Sequence, residues 1–220
     1  YAALSLAPLV LLPAMLEELR GLALFTTGVA LIPRGLAQIV GLLVISALVN
    51  RADPRVYIMG GFLLFAAASY EMAGFNLDIG LADLLWPNLV QGFAMAFIWA
   101  PVATVVYGNL APALRTDAVT FSALVFSLSS SIGVSVSVTI LGRSYQTSHE
   151  ELAGRAVPGH EAVGYGDWTV PWTFGDIGNL AAIGGELSQQ AWMVGYTNVF
   201  WAMGVYAVLV VPFALFLKTR

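Results

Sequence analysis

Leu24 to Val49 reads LFTTGVALIPRGLAQIVGLLVISALV, an apolar run with a single charge, Arg34, set in the stretch Ile32-Pro33-Arg34-Gly35. A helix needs about 20 apolar residues to cross the hydrocarbon of a bilayer. This run is long enough with residues to spare. A barrel strand would be about ten residues long and would alternate apolar with polar side chains. The run does neither, so it reads as a membrane-spanning α-helix.

The same pattern recurs along the chain. Apolar runs extend over about 1–16, 24–49, 56–75, 84–107, 118–141 and 191–217, with charges clustered between them. The first run is short and ends at Glu17-Glu18. It reads as a span cut at its start, because the chain opens Tyr-Ala-Ala-Leu with no basic segment ahead of the apolar residues. The expected fold class is an all-α integral membrane protein with six transmembrane helices. Pro8, Pro13, Pro33, Pro87, Pro101 and Pro212 lie in or near the spans. Neighbouring helices and water re-satisfy the backbone that proline frees in a membrane.

Composition agrees. Of 220 residues 59% are hydrophobic and 10% charged, with a mean hydropathy of +0.81. A soluble domain carries about 25% charged residues. The chain has no cysteine, which excludes disulfides and thiolate chemistry. A net charge of −4 without a basic run offers nothing to nucleic acid.

Charge also orients the spans. One set of connections holds Arg51, Arg55, Arg115, Lys218 and Arg220 against two acids, Asp53 and Asp117. The other set holds three cations, Arg20, Arg143 and Arg155, against ten acids. The positive-inside rule places the first set, and the C-terminus, in the cytoplasm. The long connection 143–190 then lies outside. It reads either as a solvated loop or as a surface that caps the protein or docks a partner.

Two charges fall within spans. Arg34 lies roughly ten residues from the outer end of its span, about 15 Å at 1.5 Å per residue, too deep for easy snorkelling. A charge at that depth faces the bundle interior or a wet cavity. It reads as a cavity-lining cation that meets a carboxylate or an anionic ligand group, or as half of a structural ion pair. Glu71 lies about one turn from the outer end of the third span. It reads as an interfacial carboxylate, with a proton-titrating site as the alternative.

Polar and small residues mark the other spans. Asn88 and Gln91 are three apart on one helix face and either bond between helices or line a polar path. Gly92, Ala96 and Ala100 step by four, as do Ser129, Gly133 and Ser137, which suits close helix packing. His149 and His160 lack the spacing of a zinc helix motif, so no metal site is expected. No span holds a histidine to activate the serines, and no catalytic constellation is visible. An enzyme is not expected.

Taken in order, Thr27-Gly28, Pro33-Arg34-Gly35, Arg51-Ala52-Asp53-Pro54-Arg55, Trp86-Pro87 with Gln91-Gly92 and Pro101, Leu114-Arg115, Ser131-Ile132-Gly133 and Gln190-Ala191-Trp192-Met193 with Tyr196 and Phe200 carry a resemblance. The chain resembles the C-terminal half of the fourteen-helix multidrug:proton antiporters of the major facilitator superfamily, the EmrB/QacA-like branch. The resemblance implies one half of a major facilitator fold, built from two inverted three-helix units. It implies export of small amphipathic compounds or drugs by alternating access, with the proton gradient as energy source and no cofactor. It places the chain in the cell's inner membrane, beside a missing N-terminal half. A periplasmic adaptor and an outer-membrane channel are the further partners it implies. Spans one, two, four and five would face the cavity, which adds Phe97, Trp99, Phe121 and Phe126 to Arg34, Asn88 and Gln91 as substrate-cavity candidates. Arg51, Asp53 and Arg55 would sit where the superfamily carries a cytoplasmic gating motif. Two alternatives stay open: a metabolite transporter of the same superfamily, and a membrane sensor or scaffold that docks a partner through the outer loop.

Overall fold

The computed structural model describes residues 1–48, 53–108, 110–155 and 177–217. Among them the regular elements are six helices: α1 Ala2–Arg20, α2 Leu24–Leu48, α3 Pro54–Ala73, α4 Leu81–Gly108, α5 Pro112–Arg155 and α6 Ile177–Ala214. Each contains a segment long and apolar enough to cross a membrane. Arg51, His160, Lys218 and Arg220 lie outside the described residues.

Local chemistry sets the helix ends. Gly21 ends α1 at φ 60°, a conformation without steric cost only for glycine, and its N–H donates to the Glu17 carbonyl. Asp53 caps α3 by accepting from the Arg55 N–H at 3.0 Å, and Pro54 fills the first helical position, where a missing N–H costs nothing. The Tyr57 hydroxyl donates to the Leu48 carbonyl at 2.6 Å and ties the start of α3 to the end of α2. Arg20 donates to the Leu77 carbonyl and ties the end of α1 to the α3–α4 connection.

Two helices run well past the hydropathy bounds. The apolar runs at 118–141 and 191–217 predict a loop over 143–190, yet α5 continues to Arg155 and α6 starts at Ile177. Glu, Gln, Arg, Ala and Leu in these flanks are good helix formers although too polar for hydrocarbon. The 44 residues of α5 exceed what a bilayer needs. The start of the α5 extension packs on the apolar run of α6, with Tyr145 stacked on Trp192 at 4.2 Å, and just before it Gly195 lets α6 close on Leu141. α1 likewise reaches Arg20, beyond the run that ends at Leu16.

The helices pack as two related triplets. α2 lies against α4, and α5 lies against α1. α3 meets both α4 and α6, and α6 also meets α1. Exchanging α1-α2-α3 with α4-α5-α6 maps these pairings onto one another, as an inverted repeat of three-helix units requires. The symmetry is incomplete, because α5 and α6 pack along each other as α2 and α3 do not. The core lies among α1, α3, α4 and α6, with Leu12, Met15, Phe65, Met72, Ile98, Tyr196 and Phe200 fully buried. α2 and α5 leave apolar faces open, including Leu36, Ile39 and Leu43 on one and Phe121, Leu124 and Leu128 on the other. Water would penalise such faces, whereas lipid does not.

Glycine sets the closest helix crossings. At Gly92 of α4 a methyl group would overlap the backbone carbonyl of Arg34 in α2. At Gly133 of α5 it would come within 2.5 Å of the Ala3 Cα in α1. The two helix pairs are related by the exchange of triplets, with the glycine on the opposite partner in each. Ala96 continues the first contact one turn on, against Gly41, and Ala100 is half-buried. Ser137 is buried and donates to the Gly133 carbonyl, a local bond that leaves the helix surface apolar, while Ser129 is half-buried. Gly92→Ala is therefore expected to lower stability by about 1–3 kcal/mol or more, as overpacking does. Gly28→Ala, where a methyl group meets open space, should leave stability unchanged or gain up to about 1 kcal/mol. Thermal unfolding of the two variants in one detergent checks this; equal melting temperatures would contradict it.

Candidate functional site

The Gly92 crossing positions the most informative side chain. Because α4 has no side chain at this point, the Arg34 backbone rests directly on it. The guanidinium instead turns towards α1, where Nη2 donates to the Ser5 carbonyl at 3.1 Å. Arg34 is 6% exposed, and Nη1 is buried without a hydrogen-bond partner. Among the described residues no carboxylate pairs with it. The Ser5 carbonyl lies within α1 and can accept this bond because a carbonyl oxygen has two lone pairs.

Arg34 lines a cavity of about 320 Å³ formed by α1, α2, α4 and α5. Tyr1, Ser5, Gln38, Met95 and Phe126 share its wall. Tyr1 stacks on Trp99 at 5.4 Å and lies 6.1 Å from the Phe126 ring, and Trp99 meets Phe126 edge-on at 6.4 Å. The site therefore joins one charged fork and one neutral amide to an aromatic triad. Such a cavity, mostly apolar with a few directed polar groups, has the make-up of a small-molecule site.

The sequence-based candidates separate in space. Arg34 and Phe126 line this cavity, and Trp99 adjoins it through Tyr1. Asn88 and Gln91 do not line it. Both are fully buried in helix contacts: the Asn88 amide donates to the Leu84 carbonyl at 2.9 Å and reaches the Ala30 carbonyl of α2 at 3.5 Å. The Gln91 amide reaches the Ser69 hydroxyl at 3.5 Å and the Met72 sulfur at 3.6 Å, both on α3. Three residues turn a helix about 300°, so a shared face still divides between two neighbours when both pack closely. Phe97 packs on Phe93 and Tyr57, and Phe121 is 69% exposed on the open face of α5. Glu71 is exposed at the end of α3. Asp53 and Arg55 bond within their own turn, through the cap and a 3.9 Å ion pair; Arg51 lies outside the described residues. His149 packs its ring near Tyr145 at 5.6 Å.

Tyr1, Ser5, Gln38 and Met95 were missed. Gln38 carried a signal, since it lies four residues after Arg34 on the same helix face of an otherwise apolar span. Tyr1 and Ser5 also lie four apart, yet nothing in α1 says that this face looks at Arg34. Gln91→Ala is expected to cost about 1–3 kcal/mol of stability by opening a void and unpairing its neighbours, while the order of preferred substrates stays the same. Thermal unfolding and a transport panel check this; a reordered panel at unchanged stability would place the amide on the substrate path.

The chain is similar over most of its length to named resistance proteins. It is 24% identical over 212 residues to the probable multidrug resistance protein EmrY of Escherichia coli K12, covering 96% of this chain and 41% of that protein. It is 24% identical over 208 residues to the fatty acid resistance protein FarB of Neisseria gonorrhoeae, covering 93% of this chain and 40% of that protein. With the multidrug export protein EmrB of E. coli K12 it shares 27% identity over 151 residues, 68% of this chain and 30% of that protein. No family model matches the chain. It spans about two fifths of the length of EmrY and FarB. In sequence the chain is similar to EmrB-type efflux proteins of the major facilitator superfamily, and its six-helix fold fits the C-terminal half of such a transporter.

Proposed function

We propose that this chain is half of a secondary active transporter that exports small amphipathic compounds by proton antiport and alternating access. The observation that carries the reading is the Arg34 cavity, a charged and aromatic pocket lined by four helices. Structural ion pairs lock helices with both charges present, whereas Arg34 has no carboxylate partner among the described residues. The names of EmrY, EmrB and FarB, two for multidrug resistance or export and one for fatty acid resistance, support efflux.

In this reading the Gly92 and Gly133 contacts, each joining one triplet to the other, make the six-helix unit stiff enough to move as one body. The protein lies in the inner membrane with its C-terminus in the cytoplasm, as the charge bias of its connections indicates. The polar ends of α5 and α6, which extend beyond the Tyr145–Trp192 contact, then project to the outside. There they offer a rigid surface to a periplasmic adaptor that passes substrate to an outer-membrane channel. No cofactor takes part, and the energy comes from the proton gradient.

The test uses the full-length protein that carries this chain, reconstituted in vesicles with a proton-sensitive dye inside. Adding a transported compound should move protons in the opposite sense. Arg34→Ala should reduce transport by at least about tenfold, equivalent to roughly 1.4 kcal/mol of lost interaction. Arg143→Ala, exposed on the α5 extension, should change it less than about twofold. Absence of any substrate-dependent proton movement would refute antiport, and equal, near-normal transport by both variants would refute the role of Arg34.

A further inference from the structure

Glu71, the second charge within a span, stands beside a groove that the Arg34 cavity does not share. Leu63, Ala67 and Tyr70 of α3 and Trp201, Val205 and Leu209 of α6 wall a groove of about 460 Å³. Neither helix lines the Arg34 cavity. Gly204 forms the floor, where a methyl group would sit 3.4 Å from the Ala66 carbonyl. Tyr70 and Trp201 are exposed at its edges. All of these residues lie in the membrane-spanning segments of the two helices. The medium that meets the groove is therefore lipid, and the tails around it are as apolar as its walls.

The register of α3 puts Glu71 at the mouth of this groove. It lies four residues after Ala67, one turn further along the same helix face. It is exposed two residues before α3 ends at Ala73, where hydrocarbon gives way to headgroups. Among the described residues it has no ion-pair partner. α6 carries no charge from Ala191 to Ala214, and the other charge of α3, Arg55, lies at the opposite end. A headgroup at the Ala73 end of the groove therefore meets an anion. An acyl chain gains little by leaving bulk lipid for an apolar groove, so selection falls to the head. An anionic head is repelled. A quaternary ammonium is attracted but has no N–H to donate. A primary ammonium has three donors, as lysine does, and makes a charge-assisted bond to the carboxylate.

We propose that the α3–α6 groove is a lipid site: it seats one acyl chain of an aminophospholipid, and Glu71 pairs with the primary ammonium of the head.

Native mass spectrometry of the purified full-length protein that carries this chain reads the test. Dioleoyl phosphatidylethanolamine, phosphatidylcholine and phosphatidylglycerol are added singly; they share tails and differ in the head. The first ethanolamine lipid should be held at least about threefold tighter than the choline lipid, a difference of the size an exposed ion pair supplies. The glycerol lipid should be held weakest. Glu71→Gln should bring the ethanolamine lipid down to the level of the choline lipid. Ala67→Trp, which fills the groove from an exposed position, should lower retention of the ethanolamine lipid at least about threefold. Glu150→Gln, exposed on the α5 extension, should leave retention unchanged. Thermal unfolding checks that the variants fold, and the comparison of heads on the unaltered protein stands without them. Equal retention of the three lipids, an ethanolamine preference that survives in Glu71→Gln, or full retention in Ala67→Trp would each overturn the proposal. A helix from the rest of the protein seated in the groove would give the first outcome, and an aminophospholipid site elsewhere the second. Neither bears on the antiport reading, because the groove and the Arg34 cavity share no residue.

Discussion

The contact between Gly92 and the backbone of Arg34 is the constraint on which the site depends. A helix crossing this close is open only to glycine, because any side chain on α4 would push α2 away. With α2 seated on α4, the Arg34 side chain has no room on that side and is directed to α1 and the cavity. Packing and charge placement are one event here. The related contact of Gly133 with Ala3 brings α5 onto α1 and so supplies the Phe126 wall. The cavity exists because these two crossings draw α2 and α5 around α1 and α4.

The few polar groups inside the bundle divide into two kinds. Asn88 and Gln91 place their amide donors on atoms of their own or neighbouring helices, with Oδ1 and Oε1 left without a partner. They are neutral, so the unmet acceptors cost a few kcal/mol at most. Arg34 carries a full charge, and a single carbonyl cannot offset its desolvation. The difference in magnitude is why the amides are intelligible as helix contacts while the guanidinium needs an occupant or a function.

The helices also show how lipid and water divide one chain. α2 and α5 carry apolar residues on faces that no other described helix covers. The polar ends of α5 and α6 instead stay helical beyond the spans, where Tyr145 stacks on Trp192 and Gly195 closes on Leu141. Hydropathy marks where hydrocarbon ends. It does not mark where a helix ends, because intrahelical hydrogen bonds continue as long as residues favour them and a neighbour supports them.

Much of the fold was legible along the chain. Six apolar runs, the turn at Gly21 and the cap at Asp53 are local properties, set by burial from water, by left-handed backbone at glycine and by one carboxylate beside free N–H groups. The burial of Arg34 within the bundle was legible too, since the cost of a charge at mid-span depends on depth, which is a matter of counting residues. The membership of its site was not. Tyr1 and Ser5 gather with Arg34 across sequence separations that no periodicity spans, and Asn88 and Gln91, identical in polarity to cavity residues, are closed off by α2 and α3. Which face of a helix looks inward follows from the local pattern of the residues, but which neighbour it meets follows from where glycine permits the helices to touch. That is a property of pairs of surfaces, and only the tertiary structure decides it.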